Sequence, residues 1–537
     1  MNDRFPGASF VPLRTVLVVG RTYQSLARID LDLTPHLQGT DIKVEYSLLP
    51  GSDYFAGALA WGRRKRIAPL KWFKALGLDP DLVISSSPHK DLHRFNCHVL
   101  TLPHGAGHNR LRKGINGVSG ISPSQHVGDN GKLTTCIALP GPESLAQLER
   151  DFPAAVPHAQ VTGDVCMERL EKSRHRKFVY RAHYGIAPEQ RLIVLSSSFG
   201  PNSLAVRHLD FVRDLLDRLP DTFRVAVVAH PNLEFDNGIA LSTLLDKQRA
   251  NGLIMTEPEE WRDLSIAADL VIGDMGSTTF YSAAIGKPVA TLPGIGTDDI
   301  CADSPLHRFR EALPLIDEHR DLGRQLEALI DGWTPLDFDF TQVLAKVEFS
   351  TAQRLAEIVH ELLELESAPR ARVKLIPSGT PLPGSEATGA FSVVWDLDRG
   401  EGDRRCYPAT EQWRPGSHRL AEGGCLDSEM TSTADVIRFH ERIHTEPEAA
   451  ALAESVRSGN PLVENISVMI DAKQVYIDLK GGERIKVQGE RRVLDWIATA
   501  ICLMLEKLAS KAIAVDISDV FVYLKRLFKV PLAFVLA

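Results

Sequence analysis

Residues 268–293 read ADLVIGDMGSTTFYSAAIGKPVATLP, and no other stretch restricts the possible folds of this chain so strongly. Leu270, Val271 and Ile272 are apolar at consecutive positions, as in a parallel strand buried on both faces. The run stops at Gly273-Asp274, crosses the small residues Gly276, Ser277, Thr278 and Thr279, and opens into a helical segment, 280–285. Gly286-Lys287-Pro288 ends that segment and launches a second apolar run, 289–292. This order makes a βα unit whose turn offers unpaired backbone N–H groups and a positive helix end to an anion. A phosphate is one occupant of such a corner. The other reading is a plain tight turn, since doubly wound sheets contain many such corners.

The same pattern repeats along the chain. A first block, 13–150, has apolar runs at 16–19, 42–49, 81–85 and 98–102, the last ending in Pro103-His104-Gly105. A second, 155–366, has runs at 192–196, 223–229, 253–255, 270–272 and 289–292, and closes on a long helical stretch, 340–366. Strand runs alternating with amphipathic segments predict two Rossmann-like domains with a ligand in the cleft between them. Four prolines with Gly and Ser in 367–390 predict an exposed linker. The last block, 391–537, has strand-like runs at 466–470, 474–479 and 483–488, with Gly481-Gly482 in hairpin position, then apolar helical segments at 493–507 and 517–528. The expected fold is therefore α/β, a paired Rossmann-like core with a C-terminal α+β accessory domain.

Composition narrows the partners. The net charge of −8 over 537 residues argues against nucleic acid as the main ligand. Seven cysteines with no CxxC pair fit a reducing compartment rather than a disulfide framework. The N-terminus lacks the apolar core of a signal peptide, and no apolar run reaches the ~18 residues of a spanning helix. A cytoplasmic protein is expected. Residues 61–78 mix basic side chains with Trp61, Trp72 and Phe73. They read either as a solvated helix face or as a peripheral contact with an anionic membrane surface or a phosphate-bearing acceptor.

Several strand ends carry polar groups suited to an anion: Thr162-Gly163, Ser197, His230-Pro231, and the 274–279 turn with Asp274, Gly276, Ser277, Thr278 and Thr279. In order along the chain, Leu102-Pro103-His104-Gly105, Val161-Thr162-Gly163, Ala229-His230-Pro231-Asn232 and Gly273 to Phe280 with Lys287-Pro288 resemble the motifs of the CDP-glycerol glycerophosphotransferase family, the teichoic acid polymerases and primases on the GT-B fold. The resemblance spans about 13–366. It implies transfer from a CDP-activated alditol to a hydroxyl acceptor, free or lipid-linked. His104 would be the base, and His230, Ser277 and Thr278 would hold the pyrophosphate. No cofactor is expected beyond the nucleotide-diphosphate donor, which is a substrate. The chain departs from the family pattern at Val228, at Val165-Cys166 and at Tyr281. Those departures keep open a nucleotide-sugar glycosyltransferase or a 2-epimerase-like enzyme on the same fold. A third reading is a non-catalytic scaffold with a partner-binding C-terminal domain.

His440-Glu441-Arg442-Ile443-His444 matches the zinc-peptidase spacing, which on a helix places both histidines on one face. Arg442 inside the motif and Pro447 just beyond it favour a surface helix with a local charged cluster, and no metal site is assigned. Asp396-Leu397-Asp398 is a weak acidic pair beyond the linker.

Overall fold

The computed structural model describes residues 14–37, 42–50, 55–111, 117–235, 238–295, 300–346, 350–366, 368–383, 389–396, 401–406, 418–425, 428–440, 442–509, 524 and 532–536. The first block forms a six-stranded parallel sheet: β1 (Arg14–Gly20), β2 (Ile42–Leu48), β3 (Leu82–Ser85), β4 (His98–Thr101), β5 (Cys136–Leu139) and β6 (Ala159–Val161). Their spatial order is β2-β1-β3-β4-β5-β6. Of the apolar runs predicted from sequence, 16–19 lies inside the sheet, where Val16, Leu17, Val18 and Val19 are all essentially fully buried, and 42–49 is its edge strand; β5 and β6 were not predicted.

The second block forms a five-stranded parallel sheet: β7 (Arg191–Ser197), β8 (Phe223–Ala229), β9 (Ile254–Met255), β10 (Leu270–Gly273) and β11 (Val289–Ala290). Its order is β11-β10-β7-β8-β9. Chain direction across the sheet therefore reverses between β7 and β10, and in the first sheet between β1 and β3. Open α/β sheets bind ligands at the carboxyl ends of strands flanking such a reversal. Two facing parallel α/β domains make the GT-B-like architecture expected from the sequence.

The third block is a mixed sheet in the order β13-β12-β14-β15-β16-β17-β18-β19. Its strands are β12 (Ala390–Asp396), β13 (Glu401–Cys406), β14 (His418–Glu422), β15 (Val436–Phe439), β16 (Asn465–Asp471), β17 (Gln474–Leu479), β18 (Arg484–Gln488) and β19 (Ala533–Leu536). β14, β15 and β16 pair in parallel, and the remaining neighbours are antiparallel. The hairpin at Gly481-Gly482 joins β17 to β18, and Gly482 takes a φ of +87° that favours glycine. The helix Glu446–Gly459 covers one face of this sheet and Arg491–Ala509 the other.

Four expectations change. The 340–366 stretch is two helices, Phe340–Val343 and Thr351–Leu362, because Ser350 caps the second by accepting from Gln353 N. Ala352, Leu355, Ile358 and Val359 of that second helix pack into the core of the first domain, so the chain crosses back after completing the second. The 367–390 segment is no free linker: its described part lies as a strap on the second domain. Tyr180 Oη donates to Ile376 O (2.6 Å), Gly379 N to Asp263 (2.7 Å), Thr380 N to Glu260 (2.7 Å) and Leu382 N to Met255 O (2.7 Å).

The 440–444 motif is not helical, since it follows directly from β15. His440 and His444 are both buried. Residues 61–78 are also not one amphipathic stretch. Trp61 ends up fully buried in the helix Phe55–Lys65, Trp72 packs edge-on against Phe95, and Arg64 pairs with Glu257 and Glu259 of the second domain. Of the aromatic residues there, Phe73 stays well exposed. The expected 517–528 helix, Glu441 and Asp398 lie outside the described residues, apart from Leu524, which is helical and buried.

Candidate functional site

At the β7/β10 reversal, Gly273 lies opposite Ser196 in the parallel ladder. The residue after Gly273, Asp274, is buried, and its carboxylate gathers the loops around it. Oδ2 accepts from Ser198 N (2.8 Å), Ser198 Oγ (2.9 Å) and Leu204 N (2.9 Å), while Oδ1 accepts from Gly276 N (3.0 Å). Burial pushes this carboxyl above the usual carboxylate range, against the pull of the Leu204 and Ser198 donors and of Arg110. Asp274 thus shapes the rim instead of presenting an anion to it.

Two other residues of the predicted set are also turned inward. Ser197 Oγ donates to Ser198 O (3.0 Å) and accepts from Ala205 N (2.9 Å). Thr279 is fully buried against Gly273, where a Cβ would collide with its hydroxyl, so glycine is required at that position. Ser277 and Thr278 are half-buried at the start of the helix Ser277–Ala284, behind the cap residue Gly276. That helix has no side-chain cap, so its first-turn amides are left for an outside acceptor.

His230 follows β8 on the same rim. Its backbone N–H donates to Ser197 O (2.9 Å), and its Nδ1 accepts from Asn232 N (3.1 Å). The acceptor role of Nδ1 places the proton of the neutral ring on Nε2. The ring lies 4.3 Å from that of Phe199, and the Arg110 guanidinium covers Phe199 at 5.3 Å. Pro231 is buried behind the histidine.

From the first domain, the turn after β4 reaches this rim. His104 is exposed, and Gly105 beside it touches Ser277 so closely that a Cβ would meet the Ser277 hydroxyl. Ala106 N donates to Ser277 Oγ (3.3 Å). The turn is anchored by Asn109, which donates to Ala106 O (2.8 Å) and accepts from Leu306 N (3.2 Å). At the other reversal, hydroxyls cluster at the ends of β1 and β3, with Ser25 Oγ 2.7 Å from Ser87 Oγ and Ser86 Oγ donating to Ser25 O.

Thr162 and Gly163 sit where the chain passes between the domains. Thr162 Oγ1 donates to Gly163 O (3.2 Å), and Gly163 takes a φ of +80°. The next residue, Asp164, belongs to a buried charged network that joins the domains. Arg28 donates to Asp164 (2.6 Å) and pairs with Asp32 (3.1 Å). Arg169 and Arg262 also pair with Asp32, at 3.1 and 3.2 Å. Two of the three departures from the family pattern fall here: Tyr281 Oη donates to Asp164 (2.8 Å), and Arg262 Nε donates to Cys166 Sγ (3.1 Å).

The structure therefore brings together His104 (through Gly105), His230, Ser277 and Thr278, with Asp274, Ser197 and Thr279 supporting them and Thr162-Gly163 at the crossing. Sequence reasoning missed Arg110, Asp164, Arg28 and Asp32. Asp164 carried a readable signal, a carboxylate just before a helical run. Arg28 and Asp32 stand at i,i+4 spacing and pair with each other, but their further partners, Asp164, Arg169 and Arg262, lie more than a hundred residues away and left no signal. Lys287 points elsewhere: it donates to the carbonyls of Ile266 and Ala268 at the end of the helix Arg262–Ala267. A cavity of about 590 Å³ between Glu143, Arg308, Asp337 and Gln342 is lined by none of the candidate residues.

In the third domain, His440 Nε2 lies 2.9 Å from Ser467 Oγ and its Nδ1 3.2 Å from Asp495 Oδ1. The order of groups resembles a charge relay. Ser467, however, lies within β16 and is fully buried, leaving a substrate no approach, so the array pins the helix Arg491–Ala509 to the sheet. Among the described residues, no cluster of three metal-ligating side chains occurs. Likewise, no described helix is long and apolar enough to cross a membrane.

No protein-family model matches the chain, and no curated protein matches it. Among solved structures it is similar to the wall teichoic acid polymerase TagF, with a TM-score of 0.43 and 12% identity over 66% of this chain and 89% of that one. It is similar also to S. aureus MnaA solved with UDP, with a TM-score of 0.40 and 12% identity over 68% of this chain and 100% of that one. A third is the Methanocaldococcus jannaschii UDP-GlcNAc 2-epimerase in complex with UDP-GlcNAc and UDP, with a TM-score of 0.39 and 13% identity over 65% of this chain and 99% of that one. Likeness at this level assigns neither ligand nor reaction to the present chain.

Proposed function

We propose that this chain is a transferase using a nucleotide-diphosphate donor, with transfer of an alditol phosphate from a CDP-alditol to a hydroxyl acceptor as its reaction. One observation carries the reading. The uncapped helix start at Ser277 stands at the β7/β10 reversal, and the turn bearing His104 meets it from the opposite domain. A donor pyrophosphate there would accept from the first-turn amides, with the Nε2–H of His230 and the Arg110 cation on the same rim. Preorganised donors of this kind stabilise the charge that develops on a leaving phosphate. His104 would take the proton of the acceptor hydroxyl as its oxygen attacks phosphorus. The new P–O bond forms while the pyrophosphate P–O bond breaks and CMP leaves. General-base catalysis of this type contributes roughly 10²–10⁴-fold. A lipid-linked acceptor, with the chain held at a membrane surface, belongs to the same proposal.

Thermal-shift measurements with CDP, CMP, UDP and GDP test the donor first, because a ligand bound only by the folded chain must raise its apparent stability. Cytidine nucleotides should stabilise most, and His104→Ala should abolish CMP release while leaving nucleotide binding in place. His230→Ala should weaken both. Stabilisation by UDP alone would move the reading to a nucleotide-sugar enzyme, which the departures at Val228, Cys166 and Tyr281 favour. No response to any nucleotide would leave the scaffold reading ahead.

A further inference from the structure

Asp164 stands two residues past Thr162, at the passage from the first domain to the second. Its side chain is fully buried. Oδ1 caps the helix Val165–Ser173 by accepting from Met167 N at 2.9 Å. Oδ2 accepts from one group of each domain: Arg28 of the first at 2.6 Å, and the Tyr281 hydroxyl of the second at 2.8 Å. Tyr281 sits one helical turn beyond Ser277 on the Ser277–Ala284 helix, and Trp261 stacks on its ring at 5.7 Å. Since one turn of helix is a stiff spacer of about 5.4 Å, a shift at Tyr281 is passed on to Ser277.

We propose that Asp164 is a positioning residue. By holding Arg28 and Tyr281 on one oxygen, it fixes the angle at which the Ser277 helix meets the Gly105–Ala106 turn, and so sets the width of the cleft. Arg28 belongs to the helix that follows β1, and β1 neighbours the hydroxyl-bearing end of β3. The carboxylate therefore ties the reversal point of one sheet to that of the other. Only the effect on nucleotide binding rests on the function proposed above; the coupling itself rests on the geometry.

The contact between Gly105 and Ser277 supplies the readout. A Cβ on Gly105 would lie 3.2 Å from Ser277 Cβ, just under the ~3.5–4.5 Å that a disulfide spans. Gly105→Cys combined with Ser277→Cys in the full chain should therefore crosslink under mild oxidation, with the bond located by peptide mass mapping. Adding Tyr281→Phe, which removes one hydroxyl and keeps the ring, should slow crosslinking about tenfold, as expected for losing a hydrogen bond to a charged group. Asp164→Asn should slow it further. With serine and glycine restored, CDP should bind Tyr281→Phe about tenfold more weakly than the native chain. A crosslinking rate unchanged by Tyr281→Phe overturns the proposal, even if Asp164→Asn does not fold. Failure of the native chain to bind any nucleotide counts against the proposed function alone, because crosslinking is measured without nucleotide.

Discussion

The substitution Asp32→Asn tests whether the buried network is as charged as its geometry implies. Asp32 Oδ1 accepts from Arg169 at 3.1 Å, and Oδ2 pairs with Arg262 at 3.2 Å and Arg28 at 3.1 Å. All four side chains are nearly inaccessible, none exceeding 11% exposure. Asparagine keeps the volume and one acceptor oxygen but removes the charge. Arg28 then keeps its pair with Asp164, while Arg169 and Arg262 lose theirs with Asp32. Removing one partner of a buried ion pair costs about 3–5 kcal/mol, and the retained carbonyl favours the lower end, about 3 kcal/mol. For domains of this size that lowers the midpoint of unfolding by about 6–12 °C. Calorimetry, with tryptophan fluorescence following Trp261 beside Arg262, measures it.

The effect should depend on pH in one direction. Burial alone would raise the Asp32 carboxyl, but Arg262, Arg28 and Arg169 together hold it below the usual carboxylate range. Its stabilisation is then fully present above the ordinary aspartate pKa of about 3.9 and is lost as pH falls through the lower folded value. The gap between native and variant chains should close in strong acid. A loss below about 1 kcal/mol at neutral pH, the cost of an exposed pair, would refute the buried-charge argument.

Two further predictions follow from the same kind of bookkeeping. Burial, helped by Lys177, pushes the Lys287 ammonium down to about 7. Folding therefore favours the neutral amine, and stability should rise from about pH 7 toward the ordinary lysine pKa near 10.4; chemical denaturation of Lys287→Met across that range should show the rise diminished. His440→Ala should cost about 1–3 kcal/mol by leaving the buried Ser467 hydroxyl without its partner and taking one of two partners from Asp495, which keeps Arg491, read by denaturation of the full chain, while a fluorophosphonate probe should leave Ser467 unlabelled by mass spectrometry.

All five strands of the second sheet and four of the six in the first could be read in the sequence, because a strand buried on two faces has to be a continuous apolar run, as at 16–19 and 270–272; β5 and β6, only four and three residues long, were not anticipated. The donor-side turn was readable for the same reason: small residues after such a run have few uses. What the turn residues do was not readable. Asp274, Ser197 and Thr279 look in sequence like ligand contacts, yet their partners are loop amides, a carbonyl and a glycine brought close only by folding. The 440–444 motif misled because spacing of four implies a shared face only on a helix, and its described residues follow the end of β15 without forming one. The prolines of 367–390 suggested a tether. Proline keeps a chain extended, but the acceptors that hold this one, Asp263, Glu260 and Met255, are more than a hundred residues earlier.

That strap alters where the protein can be divided. A cut near residue 366 would look natural from the domain plan, but it would strip Asp263 and Tyr180 of the backbone partners they hold in Gly379 and Ile376. Both groups would then face replacement of a buried bond by water or by nothing. A cut after Pro383, whose carbonyl still receives Arg249, would leave the two-domain core with its own edges closed. The seven Cα-to-Cα steps from Pro383 to Ala390 span at most about 25 Å when fully stretched. The accessory sheet is therefore leashed to one flank of the second domain, and any partner it carries is delivered to that flank.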